Sequence, residues 1–344
     1  MMRRCSLTIA ILTLSVSLGV AQSSPSDAAR DSGADSSHSS SAPVYAVSAL
    51  NPEEAQTELL EADQPAQALD DLAMKDHRND PNVLLLAGLA AYRFDQVWTA
   101  LDYWKQSLDL APNPTLARVY ERVRREEESG RTSEKLYGMH VALRYEDQVL
   151  PLDTARAILA ALDQDYARIS AQLGCSAQEQ IVAIVQTREA YLRSTDAVPW
   201  SGGQYDGRIH IAWAEGTQFD LQIRRALAHE MVHACLTSIP SGNVSWPTWL
   251  QEGLAQRFSA DTPARSTREE LHQLAQQRHI PRLEDLRQDW SRLSIENARL
   301  AYKLALAAAD LLCENDKASG IHNVLGNPEN LPYITAELDK KLGL

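Results

Sequence analysis

One helix limits what this chain can become. From Phe219 to Ile239 the apolar positions follow a helical period, and Leu227, Met231 and Ala234 form a stripe that Val232, Cys235 and Leu236 widen. Few polar positions remain beyond His229-Glu230-Met231-Val232-His233. A helix of this kind is buried, and buried polar side chains need partners. A helix turns about 100° per residue, so His229 and His233 share a face and can offer two imidazole nitrogens to one metal ion. Glu230 beside them can reach a metal-bound water. This is the zinc-hydrolase arrangement of two ligands, a general base and an open coordination position. Two His and a Glu at this spacing also occur on solvent-facing amphipathic helices, so the neighbouring sequence must decide between the two.

A third ligand is available. Glu252 lies in Trp246-Pro247-Thr248-Trp249-Leu250-Gln251-Glu252-Gly253-Leu254-Ala255. Pro247 suits the first turn of a helix, Trp249 and Leu250 anchor it, and Gly253 lets two helices approach. A carboxylate at Glu252 completes a His-His-Glu set and leaves a fourth position for water.

The sequence His229-Glu230-x-x-His233 followed by Trp249-Leu250-x-Glu252-Gly253 resembles the gluzincin metallopeptidases, in the broad thermolysin-like peptidase MA group. It is more closely similar to exported bacterial proteins that join tetratricopeptide repeats to a small gluzincin domain. The resemblance covers most of residues 80–344. It implies Zn2+, peptide-bond hydrolysis, His229, His233 and Glu252 as ligands, and Glu230 as catalytic acid and base. Tyr302, in Leu300-Ala301-Tyr302-Lys303-Leu304-Ala305, matches an Ala-Tyr pair whose Tyr stabilises the oxyanion in related enzymes; a core Tyr on an amphipathic helix is the plain alternative. Such domains often carry a small hydroxyl residue where this chain has Ala305. Many also place an acidic residue shortly after the Glu ligand to hold the first His. Here Gln256 occupies that place and could accept the bond through its carbonyl. The strand Arg208–Trp213 reads as an exposed edge, with Ile209 and Ile211 inward and Arg208, His210 and Ala212 outward. The resemblance implies that an extended substrate peptide adds to this edge. A solvent-facing strand His is the ordinary alternative for His210.

The rest of the chain fits around this site. Residues 1–21 read as a secretory signal peptide: Arg3 and Arg4 precede the uncharged run Leu7–Val20, and Gly19-Val20-Ala21 offers a cleavage site. That run is short for a membrane span, so the mature protein is expected to be exported, periplasmic or secreted, without a span. Residues 22–48 read as a disordered linker, with nine Ser among positions 22–44. Residues 49–134 read as helical. Leu84, Gly88, Ala100, Trp104 and Pro112 fall at the offsets of a tetratricopeptide repeat, which would bind a protein partner or brace its neighbour. Residues 135–344 form the expected metallopeptidase domain. Strands Met139–Tyr145, Ile181–Val185 and Gly207–Trp213 alternate with the helix Ala155–Leu173 and a turn-rich loop Tyr191–Tyr205. Only helices follow from Phe219 onward. Strands first and helices after indicate an α+β fold, with a small mixed sheet behind an all-α segment.

A net charge of −13 and the lack of a Lys/Arg-rich run speak against nucleic-acid binding. Peptide or protein substrates remain the expected partners. After signal cleavage three cysteines are left, Cys175, Cys235 and Cys313. An odd number leaves at least one unpaired, all three suit buried apolar positions, and a pair among them is possible. The competing function is a binding or scaffold protein with repeats and a weak or inactive zinc site.

Overall fold

The computed structural model describes residues 80–344 apart from 130–132, 177–179, 196–201, 215, 240–245, 260–264, 278–279, 288–289, 291–292 and 315–319. The expected signal peptide, the expected linker and the first part of the expected repeat segment lie outside the described residues.

Three helices come first: α1 (Pro81–Arg93), α2 (Val97–Leu110) and α3 (Pro114–Ser129). Asp80 caps α1 by accepting from the N–H groups of Asn82 and Val83, and Pro81 sits where a missing N–H costs nothing. Gly88 is required by packing, because a Cβ there would collide with the Trp104 indole. Trp104 Nε1 donates to Leu85 O at 3.1 Å, closing α2 onto α1. Ala91, Tyr92, Ala100, Leu101 and Trp104 form the centre of an apolar cluster separate from the main core.

A five-stranded sheet follows, made of β1 (Glu134–Tyr137), β2 (Val141–Tyr145), β3 (Ile181–Thr187), β4 (Gly203–Tyr205) and β5 (Ile209–Trp213) in the order β1-β2-β3-β5-β4. The central β2, β3 and β5 run parallel, and β1 and β4 pair antiparallel at the two edges. Helix α4 (Leu152–Leu173) joins β2 to β3, and α5 (Arg188–Ser194) leads out of β3. The remainder is helical: α6 (Leu221–Thr237), α7 (Thr248–Ser259), α8 (Arg265–Gln277), α9 (Ile295–Cys313), α10 (Ile321–Gly326) and α11 (Leu331–Leu342). The chain is therefore a mixed α+β protein. No helix among the described residues is long and apolar enough to cross a membrane.

Three local expectations need correction. The stretch Met139–Tyr145 is not one strand. Asp163 on α4 accepts from the N–H groups of Met139, His140 and Val141, which bends the backbone after Gly138 and starts β2 at Val141. The presumed loop Tyr191–Tyr205 contains the end of α5 and the edge strand β4. The third correction bears on the site: β5 is not an edge. It lies between β3 and β4 and all five of its residues are buried. Ile209 and Ile211 do face the main core, but the opposite face is covered by the helical segment instead of water. Parallel strands of this kind are buried on both faces, so alternation does not mark an exposed side.

Cys175, just past α4, forms a disulfide with Cys235 on α6, 60 residues away. Cys313 is free and partly buried.

Candidate metal centre

Asp220 starts α6, accepting from the N–H groups of Gln222 and Ile223 at 2.9 and 3.0 Å. From Ala226 to Leu236 every residue is buried, with α4 and α7 packed against the helix. His229, Glu230 and His233 are only 7%, 7% and 9% exposed. The two histidine Nε2 atoms lie 3.2 Å apart. Glu252 reaches both from α7, with Oε2 3.4 Å from His229 Nε2 and Oε1 3.6 Å from His233 Nε2. One ligand atom from each residue falls within 4.8 Å of the others. Two imidazoles and a carboxylate make a donor set suited to Zn2+.

Helix α7 is fixed on several sides. Trp249 and Leu250 are fully buried, and Arg257 pairs with Asp310 on α9 at 3.0 Å. Gly253 does permit a close helix approach, but to α9: a Cβ there would collide with the Ala305 carbonyl. That contact brings Tyr302 on α9 to the site, where its side chain hydrogen-bonds Glu252. The Tyr302 ring meets Trp290 edge-on, with centroids 4.8 Å apart. Gln256 does not orient His229. Its amide donates to the carbonyls of Glu252 and Tyr302 at 3.2 and 3.0 Å. His229 Nδ1 is buried with no hydrogen-bond partner among the described residues.

The strand flanking Glu230 is β4. A Cβ on Gly203 would lie 3.0 Å from Glu230 Oε1, so only glycine leaves the carboxylate its space without a shift. Tyr205 on β4 hydrogen-bonds Thr237 at the end of α6. Arg208 and His210, expected outward on an open edge, are buried against Tyr92 of the helical segment. Ala212, also expected outward, is buried too, and none of the three presents a surface to a substrate. The sequence contained little to reveal β4. Three residues between turns carry no period, and only Gly202-Gly203 hinted at a close backbone approach.

Burial pushes the Glu230 carboxyl up to about 7, with His229 and His210 opposing this and the Glu252 charge adding to it. Burial lowers the His233 imidazole to about 4. Burial acts the same way on His229, but the hydrogen bond and charge of Glu252 more than offset it and raise His229 above 6.5. Burial would raise Glu252, yet the two imidazoles and Tyr302 keep it below the ordinary carboxylate value. Metal uptake needs neutral imidazoles and an ionised carboxylate. One proton therefore competes with the metal once pH falls through the raised His229 value, and a second competes only near 4. The logarithm of the apparent zinc affinity is expected to fall by about one per pH unit across the weakly acidic range, then more steeply. Titration against a chromophoric chelator measures this, and a flat profile over that range would contradict it.

A comparison with known protein families finds no matching family, and no curated protein is significantly similar to the chain.

Proposed function

We propose that the chain is an exported zinc-dependent peptidase of the gluzincin kind, preceded by tetratricopeptide-like helices. The convergence of His229, His233 and Glu252 from two buried helices carries this reading. Zinc held by these three residues would supply a Lewis acid and a water acidified to about neutrality. Glu230, aimed past Gly203, takes a proton from the attacking water and delivers it to the leaving amine. Tyr302 is close enough to the ligands to donate to a developing oxyanion. As the edge strand of the sheet, β4 takes over the substrate-pairing role expected of β5. The close contact of Gly88 with Trp104 supports the repeat reading of the helical hairpin. The Cys175–Cys235 bond supports export, since such bonds persist in oxidising compartments.

A second reading, a binding or scaffold protein with a weak zinc site, draws on one observation. His229 Nδ1 lacks an orienting acceptor among the described residues, and such acceptors strengthen zinc sites. Metal analysis of the purified mature protein, with Glu252→Ala as control, tests the site. Wild type should carry about one zinc per chain and the variant far less. Equal and negligible zinc in both, after exposure to zinc, would remove the basis of the proposal.

A further inference from the structure

The β4–β5 turn is Asp206-Gly207-Arg208, closed by the Asp206 N–H donating to Arg208 O at 3.2 Å. Gly207 has φ +109, a conformation open mainly to glycine. The helical segment grips this turn. Arg208 is fully buried and donates from Nε to Tyr92 O at 3.1 Å, from one terminal nitrogen to Glu126 at 3.2 Å and from the other to Asp95 at 3.0 Å. Its guanidinium centre lies 4.2 Å over the Tyr92 ring. Asp206 pairs with Arg122 at 2.9 Å, accepts from the Tyr92 hydroxyl at 3.3 Å and contacts His210 Nε2 at 3.0 Å. A Cβ on Gly207 would lie 3.4 Å from Arg93 and 3.5 Å from Tyr92.

Buried charged networks are poor glue, because desolvation consumes most of their attraction and apolar packing would hold the two parts together at least as well. What they supply is direction, and here that direction converges on one turn. Strand β4 has three residues and a single neighbour in the sheet. Helix α6 packs on it through Gly203 and the Tyr205–Thr237 hydrogen bond, and the turn is its tie to the helical segment. Gly203 is the backbone beside Glu230.

We infer that the helical segment Pro81–Ser129 is a positioning clamp: Tyr92, Asp95, Arg122 and Glu126 hold the β4–β5 turn, and through it the strand beside Glu230. Asp206 and Arg208 are then positioning residues. The kinetic consequence rests on the peptidase reading; the clamp itself does not.

The test uses the full zinc-loaded chain with Arg122→Met, the conservative Arg122→Lys, and Arg208→Met. Segment-resolved hydrogen exchange is the primary readout. In Arg122→Met, exchange over 203–205 should rise roughly tenfold or more, with protection of α6 and zinc content unchanged. Arg122→Lys should restore most of the protection. On peptides, Arg122→Met should raise KM at nearly constant kcat, whereas a smaller folded fraction would lower kcat alone. Unchanged exchange over 203–205 overturns the clamp. So does protection lost evenly across α6 and the sheet, which marks an ordinary structural tie. If Arg208→Met does not fold, the Arg122 pair decides. A zinc-bound wild type inert on peptides defeats the peptidase reading, and the exchange data still judge the clamp.

Discussion

Glu230→Gln is expected to keep its bound zinc and to lose peptide turnover by roughly 10²–10⁴-fold. The ligand atoms belong to His229, His233 and Glu252, so the substitution leaves the donor set intact. Glutamine has nearly the same shape, and it fits the space bounded by Gly203. Only the capacity to accept and return a proton is removed. In the metal-free protein the same change has a stability signature of definite sign. Burial raises the wild-type carboxyl from 4.5 to about 7, so its contribution is largest when protonated and is lost as pH rises through that interval. Above neutral pH the metal-free variant should therefore be more stable than metal-free wild type. Zinc content, turnover on a broad peptide library and urea midpoints at acid and alkaline pH measure the three effects. Equal inertness of both proteins with zinc in place would favour the scaffold reading.

Replacing Cys175 and Cys235 together by Ser is expected to cost about 4 kcal/mol of stability, the loop-closure value for a bridge of this span. The bond closes a 60-residue separation and joins the end of α4 to α6 two residues beyond His233. The melting temperature should drop on the order of 10 °C. A reductant acting on wild type should reproduce the loss, since Cys313 has no bond to break. Zinc affinity should weaken as well, because the last turn of α6 loses a tether beside a ligand. A loss under about 1 kcal/mol would show that packing alone holds α6 in place.

What the sequence could and could not reveal follows from the range of the forces involved. The helical character of α9 and α11 is legible, because their apolar periods are long and their ends carry clear signals such as Ser294 and Gly343. The set of His229, His233 and Glu252 was legible because the helical repeat places the first two and the burial of α6 demands a partner. The disposition of β5 was not. Its alternation is real, but the polar side meets another part of the chain instead of water, and no local pattern distinguishes the two. Gln256 was misjudged for a similar reason. The carbonyls of Glu252 and Tyr302 claim its amide, and the place of Tyr302 depends on how α7 and α9 pack. The pairing of Cys175 with Cys235 needed three-dimensional proximity, which spacing does not encode.

The grip of the helices on the β4–β5 turn also bears on the order in which the molecule assembles. Arg208 meets Tyr92 across 116 residues and Glu126 across 82. In a chain made from its N-terminus, α1–α3 are complete long before the turn they enclose exists. Local helical contacts form fast, and pairings this distant form slowly. Asp95 meets Lys135 and Arg144 of the first two strands, and Glu126 stays a solvated carboxylate until Arg208 arrives to cover it. Closing the sheet beneath the helices becomes a late step of folding, and the strand that borders the candidate base is among the last parts to settle.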